Sequence, residues 1–131
     1  FIPVFFQSAQ YLDEAGRQEL KSLIALYKEH RKEMFDCYSF PIGETPTNEA
    51  WAGFQFINDK QDGGYFLLFR ELHNQQPAHE IRLKFLAGKK LGITDIRTGK
   101  TFTKQVSPDG MLEFEIGSPA DYSYLKYKVL E

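Results

Sequence analysis

The stretch WAGFQFINDKQDGGYFLLFR, Trp51 to Arg70, constrains this chain more than any other. Two apolar runs flank a polar turn that ends in Gly63-Gly64, which is the pattern of two strands joined by a hairpin. GYFLLF is apolar at successive positions, so both of its faces need cover. It reads as a central strand with a second sheet on one side and a helix or neighbouring domain on the other, and its outward face is a candidate interface.

Upstream, Asp13 is placed as an N-cap with Glu14 in the first turn. Leu20, Leu23, Ile24, Tyr27, Arg31 and Met34 then recur at three- and four-residue steps, predicting one long amphipathic helix that loses its period near Phe35. Arg17, Gln18, Lys21, Lys28, Glu29 and Lys32 occupy its opposite face. Before it, residues 1–12 carry Pro3 among aromatic and aliphatic side chains and read as extended or irregular. An apolar hexapeptide at the start, with Phe1 in place of Met, suggests a piece of something larger.

Residues 36–50 hold Pro41, Gly43 and Pro46 and read as a connection. Strands follow at 51–57, 64–70, 79–86, 91–97, 101–106, 111–117 and 122–129. Alternation gives several of them one wet face: Ile81, Leu83 and Phe85 oppose Glu80, Arg82 and Lys84. The expected fold is mainly β, an antiparallel β-sandwich of about seven strands preceded by one long amphipathic α-helix. The chain divides into 1–36 (leading segment and helix), 37–50 (linker) and 51–131 (sandwich).

Composition narrows the partners. Sixteen Lys and Arg against eighteen Asp and Glu give a net charge of −2, which supplies no field for nucleic acid or an anionic membrane. No apolar run is long enough for a membrane-spanning helix. Cys37 is the single cysteine, so no intramolecular disulfide forms and the compartment stays open.

The candidate chemistry is thin. Thr98-Gly99-Lys100-Thr101 ends like a phosphate-binding loop, but Thr94 stands where that motif needs its first glycine and the following residues are strand-like, so a hairpin turn fits better. Asp59 and Asp62 before two glycines suit a turn rather than a calcium loop. His30, His73 and His79 lack zinc spacing, and Cys37 has no adjacent partner. No catalytic, metal or cofactor-binding residue is assigned. The aromatics Trp51, Tyr65, Tyr122 and Tyr124 are the candidate positions, either at a domain interface or stacking on sugar rings, with core or interface packing preferred for Trp51.

Taken together, LIALYKEHRKEMF, PIGETP, WAGFQF, GYFLLFRE, LGITDIRTGK and DYSYLKYKVLE resemble the C-terminal region of an α-galactosidase-like glycoside hydrolase. In that family a catalytic (β/α)8 barrel is followed by an antiparallel β-sandwich. The resemblance implies that residues 1–36 correspond to the end of the barrel and 51–129 to the sandwich. It also implies that the two catalytic aspartates lie on earlier barrel strands, outside this chain. The expected function is then a noncatalytic domain packing against and stabilising a barrel of the same parent chain, a parent that would be secreted or periplasmic. The alternatives are an independent carbohydrate-binding module with a row of exposed aromatics, or a small ligand-binding protein with an enclosed pocket. An excised domain of this kind is expected to self-associate through its apolar face.

Overall fold

The computed structural model describes residues 11–130. The reading of residues 1–10 as an extended segment lies outside the described residues. Among the described residues the chain forms a helix α1 (Glu14–Phe35) and eight strands: β1 (Tyr38–Gly43), β2 (Trp51–Ile57), β3 (Gly63–Arg70), β4 (Ala78–Arg82), β5 (Lys90–Asp95), β6 (Thr101–Gln105), β7 (Met111–Glu115) and β8 (Asp121–Leu130).

Helix α1 begins where its cap chemistry requires. The Asp13 carboxylate accepts from the Gly16 amide at 2.7 Å, satisfying one of the first-turn donors. Of its side chains only Met34 is fully buried. The inward stripe at the C-terminal end passes through His30 rather than Arg31, which is exposed; Arg31 was expected on the apolar face.

The strands make two sheets, one in the order β1-β2-β3-β8-β5-β6 and a two-stranded pair β4-β7. All pairings are antiparallel. β3 is central and buried on both faces, as its continuous apolar run requires. Its inward residues Phe66 and Leu68 join Ile42, Trp51, Leu91, Ile93 and Leu125 against Ile81, Leu112 and Phe114 of the small sheet, forming the main core. Its outward residues Tyr65 and Leu67 join Phe56, Tyr124 and Met34 of α1 in a second cluster. At roughly 25 cal/mol per Å² of apolar surface, these two clusters are the chief stabilising force of the fold.

Two segments differ from expectation. Residues 38–43, read as part of a connection, form an edge strand in register with β2, from Tyr38 opposite Ile57 to Gly43 opposite Ala52. The Glu44 amide donates to the Trp51 carbonyl at 2.7 Å, and the alternation of an antiparallel ladder then turns the Pro41 nitrogen away from β2. A proline is tolerated there because its missing N–H faces the open edge. The expected strand 79–86 is shorter, because after Arg82 the chain leaves β7 and Phe85 adopts a positive φ of 62°.

Gly64 shows how tightly β2 and β3 approach. A Cβ at that position would collide with the Phe56 carbonyl oxygen of the paired strand, so only glycine fits.

Candidate functional site

The four aromatic candidates fall on opposite faces of the large sheet. Trp51 opens β2 on the inward face and is fully buried. Its Nε1–H donates to the Gln76 carbonyl at 2.9 Å, and its ring stacks on His79 at 6.0 Å. It belongs to the core between the sheets, away from any surface a sugar could reach.

Tyr65, Tyr122 and Tyr124 share the outward face, brought together by the pairing of β3 with β8. Tyr65 and Tyr124 lie beneath the C-terminal half of α1 and are 1% and 9% exposed. Burial pushes the Tyr124 phenol up to about 12, and its hydroxyl donates to the Met34 sulfur. Tyr122 is half-buried, with the Arg97 guanidinium over its ring at 4.3 Å. These three tyrosines therefore make a seat for the helix, leaving no exposed tyrosine row.

A polar network fastens that seat. Lys126 Nζ donates to Glu33 Oε2 at 2.6 Å, and the Tyr65 hydroxyl donates to the same carboxylate oxygen. With the phenol proton so placed, the His30 Nδ1–H donates to the Tyr65 oxygen at 3.0 Å. The Lys126 ammonium and then the Tyr65 hydroxyl hold the Glu33 carboxyl below its ordinary pKa, against a smaller opposing effect of burial. Burial, then the neighbouring Glu33, raises the Tyr65 phenol. Cys37 follows the helix and donates to the Glu33 carbonyl at 3.2 Å; burial raises its thiol, so it is a poor nucleophile. Glu33 and His30 carried no signal in the sequence, since their role depends on β3 and β8 lying beneath them.

Beside α1 the outward face is asymmetric. Toward β5 and β6 the outward positions are Gly92, Thr94, Thr101 and Thr103, a polar surface. Toward β1 and β2 they are Ala52, Phe54 and Phe69, with Phe54 and Phe69 41% and 39% exposed. An open groove of about 430 Å³ runs over these side chains and Pro41. Glu44 and Glu71 on its rim are already engaged: Glu44 accepts from the Trp51 amide, and Glu71 from Thr47 and Ala50. Phe54 and Phe69 thus form an exposed apolar patch on the outward face of the large sheet, while Leu72, Phe85 and Phe102 are exposed elsewhere.

The remaining motifs resolve into turns. Gly99 has a φ of 75° in the turn from β5 to β6, where Asp95 Oδ1 accepts from the Arg97 and Thr98 amides. The Asn58 side chain bonds both the amide and the carboxylate of Asp62 in the turn from β2 to β3. Among the described residues no group of three or more His, Cys, Asp or Glu side chains is arranged to hold a metal ion. No family profile, curated protein or solved structure matches the chain.

Proposed function

We propose that this chain is a noncatalytic β-sandwich domain of an α-galactosidase-like glycoside hydrolase, packing against a catalytic (β/α)8 barrel and stabilising it. The observation that carries this reading is the asymmetry of the outward face. α1 sits over β3 and β8, the face on one side of it is threonine-rich, and the face on the other side exposes Phe54 and Phe69 beside Ala52. A sheet whose six strands are about 4.8 Å apart is wider than one helix of about 10 Å diameter can cover. The apolar half that no described residue covers is the kind of surface that a neighbouring domain buries. Helix first and sandwich second is also the layout that the resemblance implies.

Two measurements on the isolated chain test the reading. Incubation with aryl α-galactosides is expected to release no sugar. Sedimentation velocity is expected to show concentration-dependent self-association that the double substitution Phe54→Ser/Phe69→Ser abolishes, with the far-UV spectrum unchanged. Sugar release that follows the protein through purification would overturn the noncatalytic assignment. A wild-type chain that stays monomeric and indistinguishable from the double variant would overturn the interface.

A further inference from the structure

A second cleft lies on the other side of the large sheet, between the open edges of β6 and β7. Each of these strands pairs with a single neighbour among the described residues, β6 with β5 and β7 with β4. Their facing edges frame a mouth of about 320 Å³ leading toward the main core. The Lys104 ammonium spans it, donating to the Glu113 carbonyl of β7 at 2.5 Å.

The chemistry of this mouth differs from that of the outward groove. Its floor is apolar, made by the buried Leu125 and Phe114, and Phe102 on its wall is 39% exposed. Polar groups with unused capacity converge above that floor. Asp95 commits Oδ1 to the amides of its turn, which fixes the side chain and leaves Oδ2 for a ligand. The half-buried Ser123 hydroxyl has no hydrogen-bond partner among the described residues. Glu115 stands on the same rim.

We infer that this inter-sheet mouth is a binding site for a neutral polyhydroxylated ring, the chemical class of a single pyranose residue. Charge and hydrogen-bonding capacity select the class. The Asp95 and Glu115 carboxylates disfavour an anion, and the free Asp95 Oδ2 and the Ser123 hydroxyl, unpartnered among the described residues, beside the apolar wall of Phe102, suit a ligand that presents several hydroxyl donors and an apolar face. Size and polarity agree: the volume is at the small end for ligand sites, and a pyranose presents a C–H face to Phe102 while its edge hydroxyls reach Asp95 and Ser123. The site is separate from the outward face, so its failure would leave the proposed domain packing untouched.

The test is a ¹H–¹⁵N NMR titration of the full chain with methyl glycosides of galactose, glucose and mannose, with methylammonium and inorganic phosphate in parallel. Saturable shifts confined to the amides around Asp95, Phe102, Phe114 and Ser123, with a dissociation constant in roughly the millimolar range, are expected for at least one glycoside. Asp95→Asn keeps the turn-capping oxygen but changes the other ligand atom, and it should weaken binding roughly tenfold. Ser123→Ala removes a hydroxyl that supports nothing in the fold, and a roughly threefold loss is expected. Absence of saturation by every glycoside, preference for methylammonium or phosphate, or equal affinity in both variants would overturn the assignment.

Discussion

Gln55 and Lys84 are joined by both ends of one buried amide: Gln55 Nε2 donates to the Lys84 carbonyl at 2.8 Å, and Gln55 Oε1 accepts from the Lys84 amide at 2.8 Å. Gln55 is fully buried on the inward face of β2, so this side chain takes the place of a backbone neighbour where the chain departs from β7. Gln55→Leu would leave the Lys84 amide and carbonyl unpaired at the sheet interface. A loss of about 2–3 kcal/mol in urea unfolding, with an unchanged slope, is expected. A loss under about 0.5 kcal/mol would show that the clamp is dispensable.

The Glu33 network makes the seating of α1 depend on pH. Its folded pKa lies below the ordinary 4.5, so its contribution is present above that value and is lost as pH falls through the lowered folded value. Tyr65 has the opposite sign: its raised phenol contributes below its ordinary value of 10.0 and loses that contribution as pH rises beyond it. Glu33 is 60% exposed at the side chain, so solvent screening limits the ion pair to under about 1 kcal/mol. Hydrogen-exchange protection factors of the amides from Tyr27 to Phe35, corrected for the intrinsic slowing of exchange in acid, should fall by up to about fivefold below pH 4.5 in the wild type. Glu33→Gln should remove that acid dependence, and an unaltered pH profile would exclude Glu33 as its source.

Arg70 is 6% exposed, and its guanidinium donates to two backbone carbonyls, Ile116 at 3.0 Å and Asn74 at 2.9 Å. It thus ties the loop after β3 to the loop after β7. Removing the head group leaves both carbonyls without their donor, and Arg70→Ala should cost roughly 2–4 kcal/mol. Arg70→Met, which keeps the apolar stem but no donor, should recover part of that loss through packing. Thermal unfolding of the two variants separates the contributions, and equal midpoints would assign the whole effect to the lost hydrogen bonds.

Trp51 should report unfolding rather than binding. Its ring is fully buried and its Nε1–H is bonded, so emission at short wavelength with little acrylamide quenching is expected. Sugars that occupy the mouth between β6 and β7 should leave the spectrum unchanged. A long-wavelength, readily quenched emission would contradict the inward placement of β2.

The fold was legible where periodicity and turn chemistry agreed. Asp13, the apolar steps to Met34 and the paired runs around Gly63-Gly64 each point to a single local structure, and the helix and the β2-β3 hairpin follow from them. β1 was hidden because Pro41, Gly43 and Pro46 read as breakers, although an edge strand accepts a proline whose nitrogen faces outward. The site was less legible because it depends on pairing register. Trp51 and Tyr65 are separated onto opposite faces by the register that sets Tyr65 against Phe56, a relationship no local pattern states. Gln55 and Arg70 resemble ordinary surface polar residues until their distant backbone partners are in place.

Pro41 has a consequence for how copies of this chain meet. A β-sheet extends into a fibre when its terminal strands offer uninterrupted donors to an incoming strand. At one end of the large sheet Pro41 removes such a donor, and at the other Lys104 holds a charge beside the open strand. Both ends discourage edge-to-edge growth, while the outward phenylalanines remain exposed. Association is thereby directed to the broad side of the molecule, where burying one patch ends it, and concentrated solutions should contain small closed assemblies rather than filaments.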